Sequence, residues 1–221
     1  MKYKINNKFK IKVGFIVTNK HVHQALNQTN DILADLPSTL FRSIDFKTTS
    51  AMIGAVFCDC LAALTKGIVN PIEKGHPDII PSSGKNATEE ELRNYPLGLE
   101  IKCTVGNIMK GANLRAGQAR IRQLTGITWQ AHHREVDALM GLVWDFFDNG
   151  HSFSYPVVSG VFYSDDLNED DWGEISGTTG RNTKVTGMKS SGKSKMGKGW
   201  VALIDDAEYL DKYQRLLGFR C

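Results

Sequence analysis

Cysteine is scarce in this sequence, and its few cysteines are not spaced as a disulfide framework or a zinc ribbon. Four cysteines occur among 221 residues. Cys58 and Cys60 are separated by one residue rather than by the two of a Cys-x-x-Cys pair, and the other two cysteines stand alone. We therefore expect reduced thiols in a cytoplasmic protein.

Long uninterrupted hydrophobic runs are also missing. The most apolar window, residues 50–69, contains Asp59 and Lys66, so it predicts a core helix rather than a membrane span. Residues 1–20 contain six lysines, and their only apolar run, residues 13–17, is too short for a signal peptide. These absences predict a soluble protein of the cytoplasm with no membrane partner, and the cell is expected to be prokaryotic.

Acidic residues are missing from three stretches, although the whole chain is nearly neutral. It has 27 basic and 24 acidic side chains, a formal charge of +3. No acid occurs in residues 1–20, 101–134 or 181–200, and acids cluster in residues 165–174. Basic residues gathered in this way predict a positive surface for a polyanion such as nucleic acid. The alternative is that the basic runs are solvated faces without a partner.

The pattern of apolar residues and turn residues predicts alternating helices and strands in one α/β domain that spans residues 1–221. The predicted helices are 20–36, 48–66, 111–124 and 207–217, with the second capped by Thr48, Thr49 or Ser50 and a helical turn at 89–93. The predicted strands are 76–80, 97–104, 127–132, 139–147, 156–163 and 200–204. Residues 173–199 contain seven of the 21 glycines and predict a flexible basic loop.

The pattern most indicative of chemistry is Pro77-Asp78, followed by Glu100-Ile101-Lys102 on a predicted strand. Strand alternation places Leu97, Leu99, Ile101 and Cys103 on an apolar core face and Glu100 with Lys102 on the other face. A chain return through the polar loop 81–96 would bring Asp78, at the end of the preceding strand, beside Glu100. Two converging carboxylates predict a bound divalent cation, and hard oxygen ligands suit Mg²⁺. The alternative is a turn-capping aspartate and a surface Glu–Lys pair.

This arrangement resembles the PD-(D/E)XK nuclease superfamily, and most closely its type II restriction endonucleases. The resemblance covers residues 48–104. It implies a restriction-endonuclease-like core over about residues 48–165, with a central mixed β-sheet flanked by helices. It implies that Asp78 and Glu100 are catalytic ligands of Mg²⁺, for which Mn²⁺ substitutes, and that Lys102 positions the attacking water.

Two further residues close to this motif are candidates. Related nucleases often place an acid from the preceding helix near a second metal position, and Asp59 is the only acid of the predicted helix 48–66. We expect Asp59 to be a metal ligand by that resemblance, with an exposed helix edge as the alternative. His76, beside the motif, is expected to line the cleft.

Contacts with DNA are expected from three groups of polar and basic residues. The predicted DNA-binding residues are Lys110, Arg115, Arg120 and Arg122 on the predicted basic helix, Gln130, His132, His133 and Arg134, and Lys189, Lys193 and Lys195 in the predicted loop. For the histidine cluster, packing in the core is the alternative.

Residues 187–194 match the phosphate-binding pattern G-x-x-x-x-G-K-[ST]. The context argues against a nucleotide site, because residues 181–186 are too polar for a buried strand. In addition, Gly197 and Gly199 are expected to break a following helix. We expect no nucleotide cofactor.

The sequence therefore predicts a sequence-specific, Mg²⁺-dependent endonuclease of double-stranded DNA that leaves 5′-phosphate and 3′-hydroxyl ends and acts as a homodimer. A structure-specific repair or junction-resolving nuclease and a non-catalytic DNA-binding module are the alternatives.

Overall fold

The structure is a computed structural model of the 221-residue chain, and it describes residues 1–109, 117–131, 136–147, 154–175 and 185–219. Its helices are α1 (Asn19–Asp35), α2 (Ser38–Ser43), α3 (Phe46–Leu64), α4 (Glu89–Arg93), α5 (Ser190–Lys198) and α6 (Ala207–Leu217). Its first strands are β1 (Tyr3–Ile5), β2 (Lys10–Lys12), β3 (Ile16–Thr18), β4 (Gly67–Val69), β5 (Ile79–Pro81) and β6 (Glu100–Thr104). The later strands are β7 (Asn107–Ile108), β8 (Leu124–Gly126), β9 (Gln130–Ala131), β10 (Leu139–Phe147), β11 (Tyr155–Ser164), β12 (Thr186–Gly187) and β13 (Trp200–Ile204).

A mixed five-stranded sheet forms the centre of the molecule, in the order β1-β13-β11-β10-β6. The edge strand β6 runs parallel to β10, and the other neighbours are antiparallel. The prediction of an α/β fold with a mixed sheet flanked by helices is thus confirmed at this level. Short two-stranded ribbons, β2–β3, β4–β5, β7–β8 and β9–β12, surround the sheet.

Alternating residues of β10 supply the hydrophobic layers on both faces of the sheet. Met140, Leu142 and Trp144 belong to the core that includes α1 and α3, whereas Leu139 and Val143 belong to the core that includes α5 and α6. Because successive side chains of a strand point to opposite faces, this long strand is buried on both sides.

The helix α3 positions one wall of the functional cleft. Its N-cap is Asp45, whose side chain accepts from the Thr48 N–H at 2.6 Å, so the predicted cap at Thr48 to Ser50 is wrong. The length and hydropathy of α3 would suit a membrane span. Its buried residues, among them Ile53 and Phe57, belong to the core instead, as expected for a soluble domain.

Several predicted elements differ from the structure. Strand β5 begins at Ile79, so Asp78 precedes this strand instead of ending it. Leu97 is 53% exposed and lies outside β6, which corrects its expected place on the core face. Residues 117–123 form turns rather than the end of a basic helix, and the strand expected at 127–132 is confined to β9.

Candidate active site

A cleft of about 1540 Å³ opens between α3, the β4–β5 hairpin, β6 and the segment that contains β9. The α3 wall consists mainly of small side chains, including Ser50, Ala51, Gly54 and Ala55. Asp78 and Lys102 line the cleft, and Thr128 and Gln130 contribute from its other wall. Two of the three predicted catalytic residues, Asp78 and Lys102, therefore line this cleft, whereas Glu100 is buried beside them and is not part of the lining.

Asp78 is held in place by backbone hydrogen bonds on both sides. The Asn70 N–H donates to the Asp78 carbonyl at 2.9 Å, while the Asn70 amide donates to the carbonyls of Pro77 and Leu92 at 3.2 and 2.8 Å. The carboxylate of Asp78 accepts from the Ile101 N–H at 2.7 Å. The aspartate is thus fixed against the strand that carries Glu100 and Lys102.

Close approach of the chain at Gly98 permits this arrangement. Ile79 and Leu99 exchange backbone hydrogen bonds of 3.1 and 2.8 Å, which align the start of β5 with the start of β6. Gly98 has φ +149°, and a Cβ atom there would overlap the Ile79 carbonyl. A side chain at position 98 would therefore separate Asp78 from Glu100.

Glu100 and Lys102 lie on the same face of β6, as strand alternation predicts, and Leu99 and Ile101 are buried. The Lys102 ammonium lies 2.5 Å from a carboxylate oxygen of Glu100 and 3.8 Å from one of Asp78. On the other side of Glu100, His76 Nδ1 lies 3.2 and 3.3 Å from the two carboxylate oxygens. The two acids thus converge on one cation, and His76 contacts one of them.

The surroundings shift the pKa values of Asp78 and Glu100 in opposite directions. Burial, together with repulsion from Glu100, raises the pKa of Asp78 to about 6. Burial also disfavours the charged form of Glu100, but the His76 hydrogen bond and the Lys102 charge outweigh it and lower the pKa of Glu100 to about 2. Burial opposes the charge of Lys102, yet its two carboxylate neighbours raise the pKa of this amine. Lys102 is therefore a fixed cation at neutral pH.

The donor set of this site fits Mg²⁺. Asp78 lines the cleft, Glu100 is buried beside it, and Lys102 contacts both of these hard carboxylate groups. Within the described residues, no group of three or more His, Cys, Asp or Glu side chains is arranged to hold a metal ion. Mg²⁺ commonly takes one or two carboxylates and keeps several waters, so two protein ligands are enough.

Asp59 and Gln130 line the same cleft as Asp78. Among the described residues, no hydrogen bond or ion pair joins either of them to Asp78 or Glu100. Asp59 is exposed on α3 and forms no three-residue ligand group with Asp78 and Glu100 in the described part of the chain. The structure thus places Asp59 on the cleft wall and leaves its role as a metal ligand an expectation. Gln130 is exposed on β9, where a ligand in the cleft would meet it.

Arg120 corrects the predicted set of DNA contacts. Its side chain is buried at 5% exposure, with the guanidinium 4.8 Å above the centre of the Phe46 ring and one N–H donating to the Gly106 carbonyl at 3.2 Å. The backbone N–H of Arg120 donates to Asp145. Arg120 is therefore an interior residue, and the prediction of a surface contact is wrong.

The other predicted DNA-binding residues are scattered. Arg122 is exposed and pairs with Glu208 of α6 at 2.9 Å. Lys189 precedes α5 and Lys193 lies within it, while Lys195 is paired with Asp171 at 2.8 Å. None of these residues is among those that line the cleft. Lys110, Arg115, His132, His133 and Arg134 lie outside the described residues.

The segment that resembles a phosphate-binding loop is partly helical. Helix α5 begins at Ser190 and ends at Lys198, so the expected flexible loop and the expected break of the helix at Gly197 are wrong over these residues. The preceding strand β12 is a two-residue partner of β9. Gly192 packs against the Met188 side chain and the backbone of Asp171. An anion in this segment would lie close to the carboxylate of Asp171, which disfavours phosphate.

Two lysines that line the cleft were not identified from the sequence. Lys47, in the first turn of α3, and Lys74, which has φ 61°, both line the cleft. Both lie outside the three acid-free stretches. The signal that was available for Lys74 is its position just before His76, Pro77 and Asp78.

A function for this chain is inferred from the geometry of the cleft. Comparison with protein-family models, with curated proteins and with solved structures finds no match to this chain.

Proposed function

We propose that this protein is a Mg²⁺-dependent endonuclease that hydrolyses phosphodiester bonds of double-stranded DNA. The observation that carries the proposal is the meeting of Asp78, Glu100 and Lys102 at the wall of one cleft that Asp78 and Lys102 line, with the Lys102 ammonium 3.8 and 2.5 Å from the two carboxylates. Two acids can hold a metal ion for the hydrolysis of a phosphodiester, and a fixed cation beside them can neutralise charge on the phosphate. Sequence-specific cutting by a homodimer in the cytoplasm, as by a restriction enzyme, is the form of this activity that we propose.

Asp78 and Glu100 would hold the metal ion, which when bound neutralises charge on the phosphate and makes hydroxide available near neutral pH. The backbone N–H of Ile101 and the imidazole of His76 keep these two carboxylates oriented. Lys102 remains protonated at neutral pH, so it donates hydrogen bonds to the water and to a phosphate oxygen and does not act as the base.

A water that has lost its proton to the solvent would attack phosphorus in line with the 3′ oxygen. The bond between phosphorus and the 3′ oxygen breaks, and the leaving 3′ oxygen takes a proton from the solvent. The phosphate remains on the 5′ side, and the products carry 5′-phosphate and 3′-hydroxyl ends. Lys47, Lys74 and Gln130 face the cleft and would contact the DNA on either side of this bond.

The test is incubation of the purified chain with long duplex DNA and Mg²⁺, with Asp78→Ala, Glu100→Ala and Lys102→Ala alongside. We expect discrete fragments from the wild type and none from the three variants. The exposed acid Asp35, at the end of α1, provides the matched control, and Asp35→Ala should cut normally. Retained cleavage in Asp78→Ala or Glu100→Ala would overturn the assignment of the site.

The same experiment separates the other two functions. Cleavage that is confined to branched DNA would support a junction-resolving or repair nuclease. Tight binding without cleavage under any divalent cation would support a DNA-binding module.

A further inference from the structure

The first two strands and the start of α1 carry a lysine-rich surface that the proposed active site does not use. We call it the N-terminal lysine surface, and its members are Lys2, Lys4, Lys8, Lys10, Lys12 and Lys20. All six are exposed, and none takes part in an ion pair identified among the described residues. The first acid of the chain is Asp31. Lys2 lies beside an acid, since the Asp205 N–H donates to the Lys2 carbonyl at 2.9 Å, whereas no ion pair identified among the described residues neutralises Lys8, Lys10 or Lys12. Unpaired positive charge is therefore concentrated at these three lysines.

The β2–β3 hairpin aligns part of this surface on one face. Lys10 lies opposite Thr18 and Lys12 opposite Ile16, whereas Ile11 pairs with the fully buried Val17 on the inner face. Directly opposed residues of an antiparallel pair point to the same side, so the outer face presents two lysines, a hydroxyl and one apolar side chain. Such a face is too polar to insert into a membrane.

A backbone hydrogen bond joins the hairpin to the start of α1. The Asn19 N–H donates to the Phe9 carbonyl at 3.1 Å. Because Asn19 precedes Lys20 and Phe9 follows Lys8, this bond brings the two lysine positions close together along the backbone. The first turn of α1 contains no acidic residue. A lysine near a helix N-terminus is unfavourable for the helix, and a bound anion would relieve this repulsion.

The surface lies outside the cleft but adjoins the hairpin that carries Asp78. No residue before Lys47 lines the cleft. The turn of the β2–β3 hairpin packs by Gly14 against Pro81, at the far end of β5. Asp78 immediately precedes β5 and lies three residues before Pro81, so the two residues are about 10 Å apart at about 3.3 Å per residue.

We propose that the N-terminal lysine surface binds the phosphate backbone of the duplex where it continues beyond the cleft. The ligand follows from the chemistry: repeated exposed ammonium groups without base-reading partners match a phosphate backbone and carry no sequence information. The proposal depends on the proposed function for the identity of this ligand. It adds a second contact with the same DNA molecule.

The test compares two triple variants that change the net charge equally. Lys8→Gln, Lys10→Gln and Lys12→Gln together remove three charges from the surface. The control removes three exposed lysines elsewhere, Lys66, Lys85 and Lys198. Binding of a fluorescent 30-base-pair duplex and of a 10-base-pair duplex is measured by anisotropy without Mg²⁺, over a range of salt concentrations, so that no cleavage occurs.

We expect the surface variant to bind the long duplex more weakly, with the slope of log K against log salt reduced by about two to three units. The control should keep the wild-type slope, and the short duplex should show a smaller difference. Equal losses in both triple variants would overturn the proposal, because they would reflect net charge alone. Tighter binding of the wild type to vesicles that contain phosphatidylserine than to the long duplex would also overturn the proposal.

The outcomes distinguish this proposal from the proposed function. If the wild type cleaves DNA and the surface variant binds it with an unchanged salt slope, the second contact is overturned and the proposed active site is unaffected. A reduced slope in a chain that never cleaves DNA would support the surface and overturn the nuclease.

Discussion

The two carboxyl groups of the cleft differ in their partners, and this difference has consequences for stability. Glu100 is contacted by both His76 and Lys102, whereas Asp78 has the Ile101 N–H and a more distant Lys102. Burial and the charge of Glu100 therefore raise the pKa of Asp78 to about 6, from about 3.9 in an unfolded chain. In the absence of a metal ion, the charged form of Asp78 destabilises the folded state.

Asp78→Asn should stabilise the protein at neutral pH while it abolishes cleavage. The folded wild type binds more protons than the unfolded chain between about pH 4 and pH 6, so its stability falls as pH rises through this window. Asparagine has no such cost and can still accept from the Ile101 N–H. In the presence of a chelator, we expect the variant to melt higher than the wild type at pH 7.5.

The same difference in melting temperature should disappear below about pH 3, where Asp78 is protonated in both states. Thermal unfolding of both chains across this pH range is the measurement. A wild type that is as stable as the variant at pH 7.5 would mean that the buried charge is already compensated.

His76→Ala should slow cleavage by about 10- to 100-fold, the usual effect of removing a partner that orients a metal-binding carboxylate. The reason is the contact between His76 Nδ1 and both oxygens of Glu100. The loss should be partly recovered at high Mg²⁺, which a titration of rate against Mg²⁺ would reveal. His23→Ala, on α1, is the control and should not alter this titration.

At the scale of elements, regular patterns were predicted well and non-local contacts were not. Helices α1 and α6 and strands β10, β11 and β13 lie within a few residues of their predicted bounds, because apolar periodicity is a local property of the sequence. The alternation of β6 also placed Glu100 beside Lys102 correctly. These are the parts of the fold and the site for which short windows of sequence suffice.

The errors have tertiary causes. Helix α5 forms despite its glycines because Gly197 packs directly against the Leu217 backbone at the end of α6, and only a residue without a side chain permits this contact. Arg120 turns inward because its backbone N–H is bound by Asp145, 25 residues later in the chain. Neither contact is visible in a local pattern of charge or hydrophobicity.

Asp145 is the residue that ties these elements together. Its carboxylate, on β10, is 3% exposed and accepts from the N–H groups of Arg120, Ile121 and Phe146 and from the Tyr209 hydroxyl of α6, at 2.8 to 3.0 Å. This one side chain joins the central sheet to the turn before β8 and to α6. The signal in the sequence is an acid within an otherwise apolar strand.

Asp145→Ala should therefore lower the free energy of unfolding by at least about 2 kcal/mol, since several buried donors lose their acceptor. Asp211→Ala removes an acid from the exposed face of α6, where it pairs with Arg215, and should cost less than about 0.5 kcal/mol. Urea unfolding of both variants tests the difference. Equal, small effects would show that the buried network contributes little.

At the scale of the whole molecule, charge is arranged around the cleft differently from what acid-free stretches of sequence suggest. Lys47 and Lys74 enter the cleft from α3 and from the β4–β5 hairpin, while Lys189, just before α5, and Lys193, within it, do not line the cleft. The position of a lysine in the fold, rather than the local density of basic residues, thus decides which lysines can meet a bound phosphate backbone.

Lys47→Gln and Lys74→Gln combined should weaken duplex binding and reduce the salt slope by about two units, because each lysine would lose about one phosphate contact. Lys189→Gln and Lys193→Gln combined make the same change in net charge and serve as the comparison. If the cleft holds the DNA, the first pair should also lower the cleavage rate at limiting enzyme, and the second pair should have the smaller effect on both quantities. The reverse order, with the larger loss from the Lys189 and Lys193 pair, would move the DNA off the cleft and contradict the placement of the scissile phosphate in it.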